Sequence, residues 1–153
     1  MHLLLKRSLT GFFLFFSILA SAQNIDPLKW WSVSHKQIND SEYSIVIHCE
    51  IPKLWHTFSQ YTDSNAETPM AFTYNASSDY SLVGKTIEDP CISEYDSVFK
   101  CTVKYFTKPV NFTQKIVVHN HKKFILQGNV YFQSCNNGQC LRPQEYDFSV
   151  NIP

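Results

Sequence analysis

Strict alternation of apolar and polar residues recurs along this chain, and it leaves few folds open. From Tyr43 to Ile51 the positions Tyr43, Ile45, Ile47, Cys49 and Ile51 lie on one face, with Ser44, Val46, His48 and Glu50 on the other. Side chains of an extended strand point alternately to opposite faces, so this pattern reads as a half-buried β-strand. The same period returns in Val98–Phe106 (Phe99, Cys101, Val103, Tyr105), in Val110–Val118 (Val110, Phe112, Ile116, Val118) and in Phe124–Ser134 (Phe124, Leu126, Gly128, Val130, Phe132). The C-terminal Tyr146, Phe148, Val150 and Ile152 show it again. Met70–Tyr74 and Tyr80–Val83 read as shorter strands, and Lys85–Asp96 as an acidic, proline-containing loop. Polar turn sequences separate the runs, among them Lys36–Ser41, Asn75–Asp79 and His119–Lys122. No helical period stands out. Seven to nine short strands at this spacing predict an all-β protein, an antiparallel β-sandwich.

The first residues stand apart. Met1–Ala22 carries His2, Lys6 and Arg7, then an apolar run through positions 11–19, then Ala20-Ser21-Ala22 before Gln23. That is the layout of a secretory signal with a small-residue cleavage site. The apolar run is short for a membrane span, and no cysteine follows the cleavage site to accept a lipid. Residues 23–153 are then expected to form one domain of 131 residues, periplasmic or secreted. Thirteen basic and thirteen acidic residues cancel, which argues against nucleic acid as a partner.

Chemical motifs are sparse. The chain has neither H-E-x-x-H nor G-x-S-x-G nor C-x-x-C, so a zinc protease, a serine hydrolase and a zinc ribbon find no support. Gly84-Lys85-Thr86 imitates the end of a phosphate loop, but Asp79 occupies the place of the upstream glycine. No metal site and no cofactor are expected. Asn75-Ala76-Ser77 and Asn111-Phe112-Thr113 match the glycosylation sequon, a pattern common by chance.

The five cysteines carry the remaining signal. An odd count leaves at least one unpaired within the chain. Alternation puts Cys49 and Cys101 on inward faces, as small buried hydrophobes. Cys91 fits a surface or a buried position equally. Cys135 and Cys140 flank Asn136-Asn137-Gly138-Gln139. Asn-Gly is a strong signal for a two-residue type I′ hairpin turn, which needs φ > 0 at both positions. With Asn137 and Gly138 at that turn, Cys135 faces Cys140 in a non-hydrogen-bonded pair, where Cα atoms come within roughly 4.5 Å. A disulfide fits there. The ring is small, so the bond restrains little unfolded-chain entropy. From the hairpin alone, a bond that exchanges and a bond that is inert remain equally open.

The run Gly128–Cys135, then Cys140-Leu141-Arg142-Pro143 leading to the Phe148-Ser149-Val150 strand, resembles the N-terminal periplasmic domain of the DsbD family of protein-disulfide reductases. Leu54–Gln60 and Tyr105–Phe112 are similar to further blocks of that family, particularly in versions from Bacteroidetes-type bacteria. The resemblance implies an immunoglobulin-like sandwich and a thiol–disulfide oxidoreductase. In that role Cys140 forms the mixed disulfide with a partner and Cys135 resolves it. It also implies an aromatic cap over the pair, which falls in Asp89–Phe99 with Tyr95 or Phe99 as candidates. The partners it implies are a membrane-linked, thioredoxin-like reductase as electron donor and oxidised periplasmic proteins as acceptors. Two departures stand out. Four residues separate the cysteines where the best-known members have five, and Leu141-Arg142-Pro143 replaces an aromatic-Pro-Pro segment. The membrane conduit and thioredoxin-like domain of the family have no counterpart in these residues, so they are expected on separate chains. Arg142 is placed to favour a Cys140 thiolate, and Tyr131 and Tyr95 are candidate contributors to the surface around the tip. The competing reading is a secreted β-sandwich that binds a partner and carries an inert structural disulfide.

Overall fold

The computed structural model describes residues 26–120 and 122–153. Met1–Ala22, read as an export signal, and His121 lie outside the described residues. Asp26 caps a short 3-10 turn, Pro27–Trp30, by accepting from Leu28 N at 3.2 Å. Eleven strands follow among the described residues: β1 Trp31–Gln37, β2 Glu42–Cys49, β3 Trp55–Phe58, β4 Ala71–Tyr74, β5 Tyr80–Glu88, β6 Ile92–Asp96, β7 Cys101–Phe106, β8 Val110–Val118, β9 Phe124–Phe132, β10 Ser134–Asn136 and β11 Gln144–Ile152. Their pairings are antiparallel throughout.

They form three sheets, ordered β1-β2-β8-β5, β11-β9-β4 and β10-β3-β7-β6. The alternation read from the sequence decides what the first two bury. Ile45, Ile47, Cys49, Phe112 and Ile116 of one sheet, and Leu126, Val130, Phe132, Phe148 and Ile152 of the other, are buried in one apolar cluster. Trp31 spans the two sheets, with its ring 5.9 Å from Phe112 and 4.9 Å from Phe132. Phe72 and Phe112 also meet across the layers at 4.9 Å, and Tyr80 stacks on Phe124 at 5.7 Å. Each such ring or aliphatic chain contributes on the order of 1.5–3 kcal/mol by leaving water, and aromatic pairs in offset or edge geometry add to that.

One polar side chain interrupts the apolar face of β8. Gln114 is buried but fully engaged: Oε1 accepts from Thr86 Oγ1 at 3.0 Å, and Nε2 donates to the carbonyls of Val83 and Lys115 at 3.2 and 2.8 Å. The two β5 partners, Thr86 and Val83, lie where β5 shifts register between Val83 and Ile87 and Gly84 takes φ +68°. Positive φ is easy for glycine and costly for most other residues.

The third, smaller sheet sits at one end of the sandwich. The chain enters it from the end of β2 and from the end of β5, leaves it from β3 to β4 and from β7 into β8, and passes through β10 between β9 and β11. Phe106 anchors it, edge-on to Phe112 at 5.6 Å.

Three readings of the sequence are corrected here. Lys85–Asp96 is not a loop: Lys85–Glu88 completes β5 and Ile92–Asp96 is β6. These residues are mostly exposed and belong to sheet edges, so no apolar period announces them; backbone pairing to β8 and β7 makes them strands. Val98 and Phe99 fall in a turn before β7, held by their backbone N–H groups donating to Asp96 Oδ1 at 2.7 and 3.0 Å. Cys101 is only half-buried, because its face of β7 lines an open groove rather than the core. Cys49 is buried as expected, and its thiol is pushed far above its ordinary value by that burial. Cys91 is half-buried and packs on the core edge.

Candidate functional site

β9 and β11 form a continuous ladder, from Phe124 opposite Ile152 to Phe132 opposite Gln144. Residues 133–143 leave this ladder as a loop. Its first part, β10, adds to the edge of the small sheet by pairing Ser134 with Thr57, Cys135 with His56 and Asn136 with Trp55. Thr57 Oγ1 secures the crossover by donating to the Gln133 carbonyl at 2.8 Å.

The chain then reverses, and Cys135 and Cys140 face each other as an antiparallel bridge with a disulfide between them and Cα atoms 4.0 Å apart. The flanking bonds are Asn136 N to Gln139 O at 2.8 Å and Leu141 N to Ser134 O at 2.9 Å. The cysteines are therefore the non-hydrogen-bonded pair expected for this register. The turn itself differs from the expectation. Neither Asn137 nor Gly138 has positive φ, so it is not type I′. Asn136 shapes it instead: its Oδ1 accepts from Gly138 N and Gln139 N, both at 2.9 Å. This is an Asx turn, in which a side-chain carbonyl replaces a backbone one.

The two sulfurs see different surroundings. Cys135 is 1% exposed, whereas Cys140 lies on the surface. Cross-strand partners share a face of a sheet, which puts Cys135 on the side of His56, Phe58, Tyr105, Val103, Glu94 and Asp96. That face lines an open groove running away from the tip, bordered also by Glu67, Tyr95 and Asn137. His56 sits edge-on to Phe58 at 5.4 Å and tilts over Tyr105 at 5.5 Å. Burial pushes the His56 imidazole below its ordinary value, favouring the neutral ring.

Glu67 is the residue that sequence reasoning missed. It lies in the loop between β3 and β4, yet one of its carboxylate oxygens and both sulfurs fall within 4.8 Å of one another. The loop is pinned where it starts. Met70 N donates to Ser59 O at 3.3 Å, Lys104 N to Thr62 Oγ1 at 3.0 Å, and Glu67 N to Asp63 O at 3.2 Å. Glu88 braces the same base by accepting from Ser59 Oγ and Gln60 N. Burial, then the charge of Asp96, push the Glu67 carboxyl above the usual carboxylate range. Bonded to each other, the two sulfurs offer no thiolate to a metal, so this triad is a disulfide with a carboxyl beside it.

Of the other expected residues, Tyr95 is exposed on β6 and borders the groove shared with Asn137. Phe99 is exposed in the following turn and does not line that groove. Tyr131 is on the outer face of β9, and Arg142 is exposed beyond Cys140. The Leu54–Gln60 and Tyr105–Phe112 blocks supply β3, which pairs with β10 of the cysteine loop, and the end of β7, which pairs with the other edge of β3.

No family model matches the chain, and no curated protein matches it in sequence. Solved structures do match in fold. The DsbD N-terminal domain of Neisseria meningitidis in its reduced form superposes with a TM-score of 0.52 at 11% identity, covering 84% of this chain and 90% of that one. A second is the complex between the DsbD N-terminal and PilB N-terminal domains of the same organism, with a TM-score of 0.51, 9% identity, and 83% and 87% covered. The fold is thus an immunoglobulin-like β-sandwich of the DsbD N-terminal kind.

Proposed function

We propose that this protein is a thiol–disulfide oxidoreductase module whose Cys135–Cys140 pair accepts electrons from a thioredoxin-like partner and passes them to oxidised proteins outside the cytoplasm. The observation that carries the reading is the asymmetry of the pair. A disulfide at a surface tip presents one sulfur, that of Cys140, to an incoming thiolate and keeps the other, that of Cys135, covered. Exchange needs a reachable sulfur and a second thiol to resolve the mixed disulfide, and these two cysteines divide those tasks. The likeness of fold to the DsbD N-terminal domain supports it.

In the reducing direction, a partner thiolate attacks Cys140 Sγ, the Cys135–Cys140 bond breaks, and Cys135 leaves as thiolate. The partner's second thiolate then attacks its own sulfur in the mixed disulfide. Cys140 is released, the partner becomes a disulfide, and two electrons have moved to this chain. Run backwards on an oxidised protein, the same steps pass them on. Of the two candidates for a cap over the cysteine pair, Tyr95 and Phe99, Tyr95 borders the groove beside Asn137 and is the one proposed. Met1–Ala22 serves as the export signal for residues 23–153, placing the module in the periplasm or outside the cell. The donor reductase and its membrane conduit are supplied by separate chains. Among the described residues no helix is long and apolar enough to cross a membrane.

The test is the reduction potential of the pair, measured by equilibrating the protein in thiol redox buffers, alkylating and mapping peptides by mass. A value of roughly −120 to −270 mV, the range of exchange catalysts, is expected. A value below about −300 mV would mark an inert bond, and the protein would then be a secreted binding domain with a pinned loop.

A further inference from the structure

We infer that Glu67 is the proton carrier of the Cys135–Cys140 exchange, protonating Cys135 as the disulfide opens and taking the proton back when Cys135 attacks a mixed disulfide. This rests on the exchange reading above and adds to it a residue from outside the cysteine loop.

Cys135 is the leaving sulfur. When the bond opens, this sulfur leaves as an anion at a position 1% exposed. Burial penalises a thiolate, so the reaction proceeds more readily if a proton arrives as the charge forms. Water is largely excluded, so a side chain must bring it. Glu67 has a carboxylate oxygen within 4.8 Å of both sulfurs, a span that a rotamer change closes. Its loop is tied down at Ser59, Thr62 and Asp63, so the carboxyl is held at the tip rather than free to wander. Its raised affinity for a proton, set by burial and by Asp96, is the direction such a role needs. The other titratable groups facing it are His56 of β3, Glu94, Tyr95 and Asp96 of β6, and Tyr105 of β7. None of these groups joins the triad with the sulfurs. Glu94 and Asp96 raise the local negative potential, and His56, directly across the strand pair from Cys135, is the rival group.

The step balances without any further reagent. A dithiol supplies the electron pair, its thiolate bonds to Cys140 Sγ, and the S–S bond breaks. The proton moves from the Glu67 carboxyl to Cys135 Sγ, leaving Glu67 as carboxylate. In the reverse direction Glu67 takes the proton from the Cys135 thiol, Cys135 Sγ bonds to Cys140 Sγ, and the partner leaves as thiolate.

The experiment is the rate of reduction of the oxidised protein by dithiothreitol between about pH 5 and 9, divided by the concentration of reagent thiolate. In the wild type the normalised rate should be highest on the acid side and fall as pH rises through the Glu67 titration. Glu67→Gln should be slower by about tenfold on the acid side, with a flat profile. A Glu67→Gln profile that keeps the wild-type shape, or a shape lost instead in His56→Gln, overturns the inference. Should Glu67→Gln not fold, the carboxyl carbon of Glu67 in the wild type is titrated by NMR in the oxidised and reduced forms. Different midpoints are expected, and identical ones overturn the inference. The two readings fail separately. A bond that no dithiol opens removes the exchange reading, whereas a bond that opens with a rate indifferent to Glu67 removes only this one.

Discussion

Cys135 and Cys140 share a bond but not an environment: the first is covered within the small sheet, across from His56, and the second is open to solvent beyond the Asx turn of Asn136. In the proposed exchange this asymmetry fixes an order of events: an incoming thiolate attacks Cys140, and the sulfur set free is the covered one, held next to the bond it later breaks.

With Cys135 replaced by alanine, the exposed Cys140 should form a mixed disulfide that persists, because no resolving thiol remains. The reciprocal Cys140→Ala variant leaves only a shielded sulfur. Its alkylation by iodoacetamide should be slower by about tenfold or more, since reactivity follows access and thiolate character. Mass spectrometry of each variant after incubation with a dithiol protein reads both outcomes. Equal trapping by the two variants would contradict the assigned roles.

Gly128→Ala should weaken the sandwich directly. A Cβ at this position would lie 2.2 Å from the Thr73 carbonyl oxygen and 2.6 Å from Phe148 Cζ. The first clash is with backbone, so β4 must move away from β9. Overpacking of this kind costs about 1–3 kcal/mol or more, to be seen as a lower urea midpoint. An unchanged midpoint would mean that β4 is not held against β9 as described.

Stability should depend on pH through His48. Its Nδ1 meets Asn111 Oδ1 at 2.9 Å and its Nε2 meets Glu50 at 3.1 Å. These contacts, foremost the hydrogen bond to Asn111, hold its imidazole above its ordinary value. A group whose folded pKa is raised stabilises the fold below its unfolded pKa, about 6.5 here, and that help is lost as pH rises through the folded value. The melting temperature of wild type should therefore exceed that of His48→Gln most between about pH 5 and 6.5, with the gap closing on the alkaline side. The site is largely exposed, so salt should shrink the gap too. A gap independent of pH would refute the assignment.

What the sequence revealed followed from burial. β2, β8, β9 and β11 bury one face each, so their side chains carry a period of two that needs no structure to detect. β6 and the second half of β5 are strands by backbone pairing alone, and their exposed side chains carry no such record. The period also says that a strand has two unlike faces without saying what covers either. Alternation in β7 was real, but it put Cys101 in the core when its face lines a groove. At the site, the register of Cys135 and Cys140 was legible because it depends on counting from the turn. The turn type was not, because the Asn136 side chain replaces the positive φ that Asn-Gly suggested. Glu67 left no trace in local pattern. Its place beside the sulfurs comes from a loop folding back from β3, far away along the chain.

The Phe132–Gln144 pair closes the β9–β11 ladder beneath the cysteine loop. Everything from Gln133 to Pro143 is thus a cassette mounted on a finished scaffold. Its length can change between β10 and Gln144 without unzipping the β9–β11 ladder, while β10 within it keeps its pairing with β3. The corresponding loop of a DsbD N-terminal domain, cut at these two residues, should be accepted by this sandwich, because both ends of the graft sit on a ladder that stays closed.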